Sequence, residues 1–328
     1  MIEDAGSEGP VGGPVTTGIE APRSGGSGSQ SQRGEVRRRR IRRTLVFVLL
    51  ICGLLAVWEA LKFVAGDPWR INGEIAGVPI SFFHDPPLRW KLVNDLNLPH
   101  VWNILGTLTR PIQPQGPPLA ALMFDYSLFT FRGALLGFFL GAGFGLVLGI
   151  LLANVRLLER ALLPYVVISQ TIPIIAIAPV IVVGLRAGWF SVALVASYLT
   201  FFPVTIAALR GLRSADPRAI ELMRSLAAGR RSVLWKLRLP AAAPYLFTAF
   251  KISATAAVVG AIVGELPAGI RDGLGGALLN FNQYYTSAPE RLWAAILFAA
   301  GVGIVSFALV VVAERLVLRG YRPAEEAQ

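Results

Sequence analysis

A chain of 328 residues ordinarily implies two soluble domains, but 54% hydrophobic and only 16% charged residues, with a mean hydropathy of +0.58, exclude a soluble globular protein and point to a polytopic membrane protein. The formal charge of +11 would suit nucleic acid if the basic residues were gathered in one patch. Instead 21 of the 31 Lys and Arg fall in segments predicted on the cytoplasmic side and 7 outside, the bias that orients membrane helices, while a single cysteine, Cys52, excludes an intrachain disulfide.

Residues 1–35 hold nine Gly, five Ser and three Pro, too little apolar surface to offset chain entropy, and are predicted to be a disordered cytoplasmic tail. Residues 36–65 follow as a basic anchor and first transmembrane helix. Arg37–Arg43 reads RRRRIRR directly ahead of the apolar run Thr44–Ala65, which is too long for a signal-peptide core and reads as a retained anchor. Glu59 and Lys62, three apart near its outer end, are expected to pair with each other or to snorkel.

Residues 66–126 carry nine Pro and three Trp (Trp69, Trp90, Trp102) and are predicted to be an external loop lying along the membrane surface. The tryptophans read as an interfacial belt or as substrate contacts. His84 and His100 stand sixteen apart and match no ligand spacing, so no metal site is expected.

The second apolar run, Ser127–Ala153, contains Gly133, Gly137, Gly141, Gly145 and Gly149 at four-residue steps. That spacing keeps small residues on one helix face and predicts a packing face where another backbone comes close. The third run, Leu162–Leu185, holds Pro164, Pro173 and Pro179, with Gln170 and Thr171 between the first two. Kinking alone, or a kinked wall that lines a path with Gln170, Thr171 and Pro173, are both open readings. Trp189–Leu209, Pro244–Gly264 and Leu292–Ala313 complete six runs near or above the roughly 20 residues that a spanning helix requires.

Between the fourth and fifth runs lies a basic loop, 210–243. Asp216 suits a helix N-cap and Pro217 the first helical position. Ile220, Leu222, Met223, Leu226 and Ala227 then recur at helical steps while Glu221, Arg224 and Arg230 stay polar, the pattern of a surface-docking helix. In the fifth run Lys251 is expected to reach the cytoplasmic interface. Glu265, just before Pro267 and the glycine-rich stretch Gly269–Gly276, either faces a translocation path or binds loop amides.

The basic loop resembles the cytoplasmic loop of binding-protein-dependent ABC importer permeases, whose signature runs Glu-Ala-Ala, three residues, Gly, nine residues, an aliphatic residue, any residue, then Leu-Pro. Glu221, Leu222 and Met223 occupy the first three places, and Leu237, Arg238, Leu239 and Pro240 close it. The departure that matters is Ala227 at the signature glycine, with Gly229 two residues later, so the turn is either shifted or capped by Gly229 in the left-handed region. From Leu128 to Leu318 the chain is similar to the sulfonate, taurine, nitrate and vitamin-precursor branch. Thr171-Ile172-Pro173, Ala178-Pro179, Phe202-Pro203 before Gly211-Leu212, Glu265 with Gly273-Leu274-Gly275, and Glu314-Arg315 carry that likeness.

The resemblance implies an all-α membrane protein of the type I importer permease fold, with six transmembrane helices and both termini cytoplasmic. Residues 127–318 would form the permease core and 319–328 a cytoplasmic tail. It further implies a permease homodimer in membrane lipid, two cytoplasmic ABC ATPases and an external solute-binding protein that does most of the selecting. Pro217, Glu221, Leu222, Met223, Arg224, Leu226, Ala227, Gly229, Leu239 and Pro240 would couple to the ATPase. None of the four lysines is followed by Ser or Thr, so no P-loop is present and no cofactor is expected in this chain; ATP and Mg would sit on the partner. A secondary transporter or channel would call for matched broken helices or in-span acids for ion coupling. A membrane enzyme would need clustered Asp, His or Cys. A mere scaffold would leave the loop signature without a purpose.

Overall fold

The computed structural model describes residues 28–75, 78–185 and 188–320, so residues 1–27 of the expected disordered tail and 321–328 of the C-terminal tail lie outside the described residues. Helix α1 (Gly28–Ala65) starts within the segment expected to be disordered. Adding a residue to an existing helix is far easier than nucleating one, and the polar residues continue the anchor. Its apolar window, Val48–Ala65, is long enough to span, and Leu49 and Leu50 are exposed as lipid-facing residues are.

Glu59–Gln328 forms a separate compact unit. Its first part corrects the expected 66–126 loop. Strands β1 (Trp69–Ile75) and β2 (Val78–His84) pair antiparallel with Trp69 opposite His84. Helix α2 (Val101–Thr109) follows, and α3 (Leu119–Asn154) starts ahead of the expected Ser127 because Leu119 and Met123 bury fully in the core.

The end of α1 holds this segment. Lys62, 0% exposed, donates to the Asp95 carboxylate and to the Leu98 carbonyl at 2.6 Å. Glu59 meets His100 Nδ1 and accepts from the Val101 N–H, both at 2.8 Å. The expected Glu59–Lys62 pair therefore gives way to two longer reaches, each of which satisfies groups that burial would otherwise strand. The indole of Trp102 stacks on His100 at 4.1 Å and Trp69 meets it edge-on at 4.8 Å, while Trp90 stays exposed. Two of the three tryptophans thus pack around one histidine instead of forming a belt. Burial pushes the His100 imidazolium below its ordinary pKa, against the opposing pull of the Glu59 hydrogen bond.

The third apolar run is two helices, α4 (Arg156–Ser169) and α5 (Ile174–Gly184), that meet at 99°. Pro173 is the break: it has no N–H to donate and sits in extended backbone as the cap of α5. Helix α6 (Trp189–Arg213), the short α7 (Pro217–Ser225) and the single turn α8 (Arg230–Val233) follow. A π turn, Leu234–Arg238, then leads into α9 (Leu239–Ala268). Helix α10 (Leu274–Gln283) lies in the glycine-rich region, and α11 (Pro289–Val317) ends in a 3-10 turn, Leu318–Gly320. Five helices are long and apolar enough to cross a membrane, six if the bent pair counts as one span.

The centre of the unit is α3 against α6 and α9. A Cβ on Gly137 would lie 2.6 Å from the Ala193 carbonyl oxygen, one on Gly149 2.8 Å from that of Thr205, and one on Gly133 3.2 Å from Val192. The glycine ladder, including Gly141 and Gly145, faces α6 at backbone contact distance. Helices in lipid gain little from apolar transfer, so this close approach supplies the dispersion contacts that hold them. One buried cluster (Leu119, Met123, Val192, Ala261, Leu274, Phe281) lies toward α2, and a second (Val204, Ala208, Leu212, Ala242, Leu246) toward the basic loop.

Candidate functional site

The loop between α6 and α9 is built around α7. The Arg218 N–H donates to Asp216 Oδ1 at 2.9 Å and Pro217 fills the first turn, so the start is capped as the sequence pattern requires. The stop is sharper than expected. The Ala227 N–H donates to the Arg224 carbonyl and the Ala228 N–H to the Met223 carbonyl, both at 2.9 Å, the paired bonds of a Schellman turn. That geometry needs a left-handed residue, and it is Ala227, at φ 53°. Gly229 has φ −65° and ψ 157°, which any residue adopts. The turn is therefore not shifted, and Gly229 is not its cap; alanine carries the strained position of the signature glycine.

No residue of α7 is buried. Leu222 is 62% exposed and Leu226 74%, one turn apart on one face; Met223 is half-buried, and Glu221 and Arg224 are exposed. A nine-residue helix with capped ends and exposed leucines owes little to its own chain for packing. Past it, Leu239 and Pro240 lie within a continuous helical path from Arg230 to Ala268. Pro240 offers no N–H to the turn before it, and there the ladder widens so that the Leu239 N–H reaches back to the Leu234 carbonyl. The return to the fifth span is thus helix where a loop was expected, and Trp235 on it is 66% exposed.

The structure separates the residues expected along a path. Gln170, Thr171 and Pro173 form the exposed elbow between α4 and α5, with the Thr171 hydroxyl donating to the Ile168 carbonyl at 2.8 Å. The Tyr198 hydroxyl ties the elbow to α6 through the Ser169 carbonyl. Glu265 is 0% exposed instead, and its Oε2 accepts the Gly275 N–H at 2.7 Å. A Cβ on Gly273 would lie 2.5 Å from the Glu265 carboxyl carbon, so the glycines are what let the loop close over it. Of the amides expected to meet Glu265, the structure shows one, that of Gly275 in the first turn of α10, while Oε1 is buried with no hydrogen-bond partner among the described residues.

Two ion pairs escaped sequence reasoning. Lys251 meets Glu314 at 2.7 Å across α9 and α11, where an approach to the interface was expected. Arg213 grips both Glu159 oxygens, at 2.6 and 2.5 Å, joining α6 to α4. The partners stand 63 and 54 residues apart, and no local periodicity signals them.

Residues 145–319 match the family model described as the binding-protein-dependent transport system inner membrane component. An ABC transporter permease of Haemophilus influenzae is 34% identical over 219 residues, covering 64% of this chain and 86% of that protein. A riboflavin transport system permease of Chloroflexus aurantiacus is 36% identical over 200 residues, 61% of this chain and 74% of its own length. An aliphatic sulfonates transport permease of Bacillus subtilis is 30% identical over 230 residues, 70% of this chain and 82% of its own. With more than half of its residues inside the family match, five or six candidate spans and α7 exposed between two of them, the chain belongs to the inner membrane components of binding-protein-dependent transport systems, as a multi-pass ABC importer permease.

Proposed function

We propose that this permease forms the path for a small solute delivered by an external binding protein, and that a separate cytoplasmic ABC ATPase drives it by gripping the 216–240 segment. The observation that carries the proposal is the exposed leucine pair of α7 on a helix fixed at both ends. A chain without a phosphate-cradling loop can draw on ATP only through contact. Leu222, Met223 and Leu226 would enter an apolar groove on the ATPase, each buried leucine contributing about 1.5–3 kcal/mol. Glu221 and Arg224 would set register at the rim of that contact, and Ala227 and Gly229 would keep the exit from the groove short. ATP and Mg would be held by the ATPase.

Two copies of the permease, related by a twofold axis, would present two such helices to two ATPases, so that closure of the nucleotide sites moves both halves of the path together. The elbow residues Gln170, Thr171 and Pro173 are the exposed candidates for lining it. Glu265 is the buried candidate.

The test uses the full permease with its cognate ABC ATPase in proteoliposomes. Glu221→Lys should abolish ATP-driven solute accumulation while the chain still inserts. In a Cys52→Ala background, Leu222→Cys should cross-link to a cysteine in the ATPase groove. Normal accumulation by the Glu221→Lys variant, or solute movement by purified permease alone, would overturn the assignment and favour a secondary transporter or channel.

A further inference from the structure

We infer that the arginine-lined cleft beside α7 binds the phosphate headgroup of an anionic membrane lipid, whose acyl chain lies along α4. The cleft has a volume of about 1070 Å³ and seven arginines line it: Arg156 and Arg160 on α4, Arg213 at the end of α6, and four between 224 and 238. Its one carboxylate, Glu159, is already held by both terminal nitrogens of Arg213. Arg156, Arg160, Arg230 and Arg231, none of them assigned to the ATPase contact, have no ion pair among the described residues. Arg238 donates to Asn154 Oδ1 at 3.3 Å, yet its Nε is buried with no hydrogen-bond partner among the described residues.

A buried guanidinium N–H without an acceptor and a set of like charges without counterions both call for an anion, and phosphate matches the arginine fork. The source of that phosphate is indicated by what adjoins the cleft. Glu159 and Arg160 also line a second groove, of about 630 Å³, whose remaining walls are Leu163, Pro164, Val167 and Ile168. A soluble anion or an acidic protein surface has no use for such a groove; a lipid tail fills it. Basic pockets between membrane helices on the cytoplasmic side are where anionic headgroups collect.

The probes are phosphatidylglycerol, phosphatidylcholine and inorganic phosphate, each added to the delipidated full-length permease in neutral detergent. Lipid retention is read by native mass spectrometry and stabilisation by thermal melting. Phosphatidylglycerol should bind and raise the melting temperature, phosphatidylcholine should do neither, and millimolar phosphate should fail to displace the lipid. The triple variant Arg156→Gln/Arg160→Gln/Arg231→Gln should bind phosphatidylglycerol on the order of 100-fold more weakly, taking roughly a fivefold loss per surface arginine. The corresponding Lys triple keeps the charge and should hold the lipid within about tenfold, which separates loss of the site from failure to fold. Arg89→Gln, on the external segment, should change nothing. Equal retention by the Gln triple, or equal binding of phosphatidylcholine, would overturn the inference. Displacement by millimolar phosphate would overturn the lipid source in favour of a soluble anion. Unchanged lipid binding with weakened capture of the ABC ATPase would assign the cleft to a protein partner instead.

Discussion

Replacing Ala227 with glycine should stabilise the stop of α7, which is an unusual outcome for an alanine-to-glycine change. Ala227 holds φ 53°, and a side chain in that region costs about 1–2 kcal/mol. Glycine relieves it but gives up roughly 0.5–1 kcal/mol in extra unfolded freedom, leaving a net gain near 1 kcal/mol or slightly below, about a fivefold shift in the closing equilibrium. The bonds at stake are the N–H groups of Ala227 and Ala228 to the carbonyls of Arg224 and Met223. Amide hydrogen exchange on the full-length permease should therefore show protection at positions 227 and 228 rising about two- to fivefold in Ala227→Gly, with amides in α9 unchanged. Gly229→Ala is the paired control. Its φ of −65° accepts alanine, nothing lies within 4 Å of the added Cβ, and protection should stay level or rise. Loss of protection in Ala227→Gly, or in Gly229→Ala, would refute the reasoning and return the capping role to Gly229.

Further expectations can be checked on purified protein. Gly137→Ala places a Cβ 2.6 Å from the Ala193 carbonyl oxygen and should cost about 1–3 kcal/mol in thermal melting, whereas Gly143→Ala, with open space around it, should be neutral or slightly stabilising. Because the folded His100 has a pKa below its ordinary 6.5, the unfolded state takes up the proton first and stability rises with pH. The segment around His100, followed by tryptophan fluorescence, should be fully stable above that ordinary value and weaken as pH falls through the lowered one, and His100→Gln should flatten the dependence. Gly273→Ala should push the Glu265 carboxylate off the Gly275 N–H and lower the melting temperature, with Glu265→Gln alone doing so less.

What could be read from sequence follows the range of the forces involved. Span number came from run length, and the start of α7 from Asp216 and Pro217, because both depend on neighbours along the chain. The hairpin Trp69–His84 was hidden by its prolines, Pro79 within it among them, whereas a kink in the third run was legible from Pro164, Pro173 and Pro179, though not that it would concentrate into one 99° bend. Glu59 and Lys62 were read as helix neighbours, but their partners lie 33 to 42 residues onward, where burial and not spacing decides. Ala227 gives no sign of a left-handed turn, since the paired carbonyls that force it belong to the fold. The arginine cleft gathers residues from 156 to 238, which only the tertiary fold brings together, Arg213 of α6 reaching Glu159 of α4.

The unbroken path from Arg230 to Ala268 has a mechanical corollary. At 1.5 Å per residue its 39 residues make a rod about 58 Å long, seated on α6 where a Cβ on Gly260 would lie 2.7 Å from Ala196 and one on Gly211 2.9 Å from Ala242. Those two contacts, well separated along the rod, lock it to α6, so that the two helices tilt as one body. A tilt of that body by about 5° would displace one end of the rod relative to the other by about 5 Å over its length, and Gly269, left-handed at φ 64°, is where the chain turns away from the moving end. Motion applied at one end is therefore carried undiminished to the other.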